Sequence, residues 1–248
     1  MKGVPALLYD SVVKPLGRAW RGLRFVMRHG LTDLGFARAL SFSQFGEDVF
    51  VYHFLKHRRT GPGLYVDIGA YHPCRFSNTY LFYKLGWKGI NVEPNPKAYQ
   101  ELIRHRPRDI TLNVAISTTR GVVDFVCDEA YSGISDGTYL FSARNPTAEI
   151  VKIETVPLSE ILETYVEPGR PIDFISIDCE GHDLQVLQSN DWARFRPSLV
   201  LVEDHDPDRD SALNRLLQDL DYQYLARLHL TKIFADNRSL SASSDTAL

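Results

Sequence analysis

The chain has 248 residues, of which 44% are hydrophobic and 24% charged, and a formal net charge of −3. That balance suits a globular domain with a sizeable core and excludes the basic footprint of a nucleic-acid partner. Three cysteines (Cys74, Cys127, Cys179) form no CxxC pair and no zinc spacing, and no apolar run approaches the roughly 20 residues of a membrane span, so a cytoplasmic protein is expected. Residues 1–40 read as a basic N-terminal helical extension. Within 1–30, Lys2, Lys14, Arg18, Arg21, Arg24 and Arg28 face the single acid Asp10, with Val13, Leu16, Trp20, Leu23 and Met27 at near-helical spacing. Such a segment suits peripheral contact with an anionic membrane, or a helix packed across the domain.

The main domain is expected over 41–236. A helix is predicted over 43–57, a buried strand over 64–68, a helix over 76–85 and a strand over 89–92. A helix over 96–105 and a strand over 110–116 follow. Strands 122–127 and 151–156 flank a long loop, and 158–164 is a short helix. Residues 172–177 form a nearly continuous apolar run, the mark of a strand buried on both faces. Helix 183–188, strand 198–202, helix 211–220 and an antiparallel pair at 222–228 and 231–235 complete the series. The Ser-rich stretch 237–248 reads as a flexible tail. This alternation predicts an α/β fold: a mostly parallel seven-stranded sheet with helices on both faces and a terminal antiparallel strand.

In such sheets ligands bind beyond the carboxyl ends of the strands. Here those ends are acidic: Asp67, Glu93, Asp178 with Glu180, and Glu203 with Asp204. The turn after the first strand, Asp67-Ile68-Gly69-Ala70-Tyr71, keeps one glycine of the GxGxxG pattern, and its acid would repel a pyrophosphate. The same acid suits the sulfonium and ammonium of S-adenosylmethionine. Glu93, 26 residues on, can accept from both ribose hydroxyls. A nicotinamide-dependent oxidoreductase would also place an acid there, so Glu93 alone does not discriminate.

Five segments in order resemble the FkbM family of methyltransferases: Ser43-Gln44-Phe45-Gly46-Glu47-Asp48, Val66-Asp67-Ile68-Gly69-Ala70, Ser77-Asn78-Thr79, Gly89-Ile90-Asn91-Val92-Glu93-Pro94 and Asp178-Cys179-Glu180-Gly181. The resemblance implies a Rossmann-like class I methyltransferase fold, S-adenosylmethionine as donor, and a hydroxyl of a sugar, glycan or polyketide-type acceptor. It carries over Asp67, Gly69, Ala70, Tyr71, Asn78, Glu93 and Pro94 as donor contacts, with Ala115 and Ile116 near the adenine. Gln44 is a further candidate over the donor pocket, or a helix-capping partner of Ser43. His182 and Asp183 depart from the family pattern beside the acceptor.

An alcohol needs a base as its proton leaves. Asp178 and Glu180 are the preferred candidates and His205 the next. A divalent cation such as Mg²⁺ is an alternative, with Asp178, Asp204 and His205 as ligands. The loop 128–150, with Tyr131, Ser132, Ser135, Tyr139, Phe141 and Arg144, is expected over the acceptor pocket. A non-catalytic module that binds S-adenosylmethionine or a glycan is the reading from outside enzymology.

Overall fold

A computed structural model describes residues 41–128, 132–135, 148–206 and 211–244. The expected N-terminal extension lies outside the described residues. Elements run α1 (Glu47–Leu55), β1 (Leu64–Ile68), α2 (Tyr80–Lys84), β2 (Lys88–Val92), α3 (Pro96–His105), β3 (Ile110–Leu112), β4 (Ala115–Ile116), β5 (Gly121–Cys127), β6 (Gly133–Ile134) and β7 (Glu149–Val156). They continue with α4 (Leu158–Tyr165), β8 (Phe174–Ile177), α5 (Asp183–Gln188), β9 (Leu199–Glu203), α6 (Ala212–Asp219), β10 (Tyr222–Leu228), β11 (Thr231–Asp236) and α7 (Asn237–Ser244).

A seven-stranded sheet has the order β10-β11-β9-β8-β1-β2-β3. Strands β3, β2, β1, β8 and β9 are mutually parallel, and β11 runs antiparallel to both β9 and β10. The chain order reverses between β1 and β8, which opens a crevice beyond their carboxyl ends. Side chains alternate across the sheet, as a period of two requires. Val66, Ile68, Ile175, Ile177, Val200 and Val202 enter one core with Leu158, Leu162, Val186 and Leu217 from α4, α5 and α6. Tyr65, Phe174, Leu199 and Leu201 enter the other with Val51, Leu55, Leu81 and Phe82 from α1 and α2. Both faces are therefore dry, which accounts for the apolar run read at 172–177.

Four expectations are corrected. The strand predicted over 110–116 ends at Leu112, because the Asn113 side chain donates at 2.8 Å to the carbonyls of both Glu93 and Pro94. The chain then leaves, and β4 joins a second sheet of order β4-β7-β5-β6. Helix α1 begins four residues late: Gly46 is left-handed at φ 91°, and Ser43 Oγ accepts from its amide. Helix α2 also begins four residues late, after a left-handed Phe76 (φ 58°) and a turn in which Ser77 Oγ accepts from Tyr80 N. The expected tail opens with helix α7, whose Leu240 packs against the second core. Among the described residues no helix is long and apolar enough to cross a membrane.

Gly89 of β2 lies opposite Tyr65 of β1, and a Cβ there would meet the tyrosine ring at 1.7 Å. Gly89→Ala should therefore lower stability by roughly 1–3 kcal/mol through overpacking. In urea unfolding the midpoint should drop with little change in slope. The control Gly121→Ala, whose nearest neighbour is Thr155 Oγ1 at 3.4 Å, should stay near wild type.

Candidate active site

A cavity of about 340 Å³ opens at the carboxyl ends of β1, β2, β8 and β9. Its walls include every expected donor contact: Gln44, Asp67, Gly69, Ala70, Tyr71, Asn78, Glu93, Pro94, Ala115 and Ile116. They also include Asp178, Glu180 and His205. Five carboxylates (Asp67, Glu93, Asp178, Glu180, Glu203) line it, and among the described residues no lysine or arginine does.

The floor begins at Gly69. It is left-handed (φ 78°), and a Cβ would fall 1.9 Å from the Asp178 carbonyl oxygen, so the β1 and β8 ends approach this closely only at glycine. The Gly69 and Ala70 amides donate to the Val92 carbonyl, and Asp178 N donates to the Ile68 carbonyl, which locks the three strand ends together. Glu93 is buried; its Oε2 accepts from Tyr71 N at 2.6 Å and its Oε1 from Asn95 N at 2.7 Å. A carboxylate offers about four acceptor directions, so two remain for hydroxyls. Burial pushes Glu93 up to about 7, against those two amides. Asp67, only 5% exposed, accepts from Thr79 Oγ1 at 2.5 Å. Asn78, beside it, donates to Ser176 Oγ at 3.0 Å. The floor therefore combines an acid aimed at cationic groups, a two-armed acceptor for a diol, and apolar Ala115, Ile116, Phe125 and Ile134. That donor set fits a sulfonium nucleoside.

The opposite wall carries a tight group. Glu180 is left-handed (φ 50°) and is followed by Gly181 at φ 102°. Asp183 holds this loop, accepting from Cys179 N at 3.0 Å and Gly181 N at 3.2 Å, and burial pushes it up to about 6. His205 Nε2 lies 3.3 Å from Glu203 Oε2, and ligand-type atoms of Glu180, Glu203 and His205 all fall within 4.8 Å of one another. Asp178 is open to the cavity space but enclosed by protein. That enclosure, then the charges of Glu203 and Asp183, push its carboxyl well above the usual range. Cavity water weakens the first effect, yet the repulsion acts in the same direction. The proton of Asp178 is therefore held more tightly than in an ordinary carboxylic acid, which weighs against its expected role as a base. Burial, then Glu180 and Asp183, raise Glu203 to about 8. Burial holds His205 below its usual value.

The expected metal set Asp178, Asp204 and His205 is not assembled. Asp204 Oδ2 accepts from Lys232 Nζ and Ser211 Oγ, both at 2.7 Å. Burial opposes ionisation there, but Lys232 and Ser211 outweigh it and hold the carboxyl below the usual range. Glu203, one residue earlier on the strand, points into the cavity instead. The strand-end rule had placed it on the rim without giving it a role. Sequence reasoning also missed the left-handed Phe76 and the His229-Leu230 turn on the wall, for which it offers no signal. From the loop expected over the pocket, Ser132, Gly133 and Ile134 line the cavity. Tyr131, Tyr139, Phe141 and Arg144 lie outside the described residues.

The family profile described as the Methyltransferase FkbM domain matches residues 67–224, from the Asp67 turn into β10. The chain belongs to the FkbM methyltransferase family. It is an S-adenosylmethionine-dependent methyltransferase with the Rossmann-like class I fold. No curated protein sequence matches it. Among solved structures, the METTL16 MTase domain is similar with a TM-score of 0.44 at 10% identity over 77% of this chain, which spans 65% of that chain's length. A methyltransferase from Geobacter sulfurreducens gives 0.45 at 12% identity, over 79% of this chain and 82% of that one. The O-methyltransferase from Bacillus cereus in complex with SAH gives 0.41 at 11%, over 92% and 94%.

The raised carboxyls of this FkbM-family site carry a linkage consequence. Asp183, Glu93 and Glu203, at about 6, 7 and 8, favour the fold fully only below their unfolded values, and that contribution is lost as pH climbs through those values. His205 acts with the opposite sign, but below about pH 6.5. The melting temperature of the ligand-free protein should fall between about pH 6.5 and 8.5, and Glu203→Gln should flatten the fall. A melting temperature that rises across that window would contradict the assignment.

Proposed function

We propose that the chain methylates a hydroxyl oxygen of a sugar, glycan or polyketide-type acceptor, with the Glu203–His205 pair taking the proton. The observation that carries this reading is their 3.3 Å contact beside Glu180 on the cavity wall. When bound, S-adenosylmethionine supplies an electrophilic methyl group. The chain's own residues must align a hydroxyl, exclude water and accept its proton. With Glu203 raised to about 8 and His205 held low, the pair takes up a proton near neutral pH, where a lone surface carboxylate is too weak a base. Aromatic surface at the mouth favours a ring-shaped acceptor. Phe45 stacks on His229 with centroids 4.2 Å apart, and the half-exposed Phe76 lies on the cavity wall.

Isotope-labelled methyl transfer to a panel of monosaccharides and polyketide alcohols tests the reading, with the new bond located by NMR. On an accepted substrate, His205→Ala and Glu203→Gln should each lower kcat by about 10²- to 10⁴-fold, while binding of S-adenosylhomocysteine persists. Wild-type turnover should rise with pH through about 8 and lose that step in Glu203→Gln. EDTA should leave turnover unchanged, whereas loss on chelation would turn Glu180, Glu203 and His205 into metal ligands. A methyl group found on nitrogen or carbon would overturn the proposal.

A further inference from the structure

Behind the donor floor, on the side of the sheet that carries Tyr65, lies a buried polar network that meets the cavity lining only at Asp67 and Ser77. Its centre is Arg106, the residue after α3, which is fully buried. The guanidinium donates through Nε to Asp109 Oδ2 at 2.8 Å and through Nη2 to Tyr65 Oη at 2.8 Å and Thr79 Oγ1 at 3.0 Å. Nη1 donates to Ser77 Oγ at 3.4 Å and stands 4.0 Å from Asp67 Oδ2. Asp109 is occupied from other sides as well, accepting from the Tyr65 hydroxyl, Gly89 N and Asn91 Nδ2.

Hydrogen counting gives the network a direction. Arginine has five donors and no acceptor, so the Thr79 oxygen must present a lone pair to Arg106. Its own hydrogen is then free to point at Asp67 Oδ2, 2.5 Å away, with Ser77 Oγ a more distant competitor at 3.3 Å. A proton on that oxygen of Asp67 would compete with the threonine hydrogen and turn it to the more distant Ser77, so the arrangement favours the ionised carboxylate there.

We propose that Arg106 is a positioning residue of the donor site: through the Thr79 hydroxyl it holds Asp67 in the ionised, oriented form that receives the donor's cationic groups. The guanidinium does not line the cavity. The opposing influences on Asp67 come from several elements. Burial within β1 raises its proton affinity, Arg106 and Thr79 lower it and Asp109 ahead of β3 raises it again, so that Arg106 and Thr79 limit a shift whose balance is still upward. Glu93 beyond β2 and Asp178 beyond β8 also face it across the cavity, each sensing its charge. Without Arg106 and Thr79, every remaining influence drives Asp67 toward the neutral acid. A neutral Asp67 loses the charge that binds the donor.

Calorimetric titration with S-adenosylhomocysteine from about pH 6 to pH 9 tests this independently of any acceptor. The readout is the ratio of Kd for Thr79→Val to Kd for wild type, in which the titration of Glu93 cancels. That ratio should be about tenfold or more near pH 6, the usual worth of a hydrogen bond to a charged group. It should shrink toward unity as pH rises, because ionisation of Asp67 then depends less on Thr79. Arg106→Met should show a larger ratio with the same trend, and Arg106→Lys a smaller one. Thermal unfolding of each variant establishes that it is folded; Thr79→Val, nearly isosteric, carries the test where the Arg106 variants do not fold. A ratio near one throughout, or a raised ratio that does not change with pH, overturns the proposal and leaves the network as packing alone.

Discussion

Like charge gathered in one cavity is the constraint on which the rest of this structure depends. Asp67, Glu93, Asp178, Glu180 and Glu203 face a shared space on whose walls, among the described residues, no lysine or arginine stands. Carboxylates so close cannot all ionise freely, and the fold accommodates each by a different device. Asp67 has Arg106 behind it, one hydroxyl removed. Glu93 has two backbone amides. Asp178 and Glu203 are both raised by burial and by their acidic neighbours, Glu203 to about 8. The remaining deficit of positive charge is what a cationic donor supplies.

These devices require strand ends held in register, and the sheet provides that through close approach. Thr111, Asn91, Asp67 and Ser176 stand in one row across four parallel strands, a polar line through an otherwise apolar face. Asn91 reaches Asp109 from this row and Asn78 reaches Ser176, so the row is tied into the Arg106 network on one side and the cavity floor on the other. Gly89 leaves room for the Tyr65 ring, whose hydroxyl closes the network between Arg106 and Asp109. A packing requirement and an electrostatic one thus meet at the same tyrosine.

Much of this was legible in the chain. Strands buried on both faces read as apolar runs, and the acids that follow them read as a rim because strand ends are where open sheets bind ligands. The donor floor needed little more than Asp67, Gly69 and Glu93. What escaped was set by tertiary contacts. Helices α1 and α2 start late because Gly46 and Phe76 adopt left-handed turns, which the apolar pattern does not report. Strand 110–116 broke because Asn113 found two carbonyls on a neighbouring strand end. Glu203 and Asp204 are adjacent acids, and Lys232 and Ser211, 28 and 7 residues along the chain, hold the second of them by hydrogen bonds while the first lines the cavity. Arg106 sits among Arg104, His105 and Arg108, a run indistinguishable in sequence from the basic end of any surface helix.

The two ends of the cavity are linked by charge conservation. Transfer of a methyl group from a sulfonium to an alcohol leaves a neutral thioether, a neutral ether and one proton. On the proposed reading that proton comes to rest on Glu203–His205, a few ångströms from Glu180. The positive charge therefore remains inside the same acidic cavity and changes only its position. An environment that favours a cation at the floor also favours the protonated pair at the wall, so one distribution of carboxylates serves both donor binding and proton removal. Arg106 must then stay behind the floor: a guanidinium on the cavity wall would bring Asp67 the same support while opposing both cations.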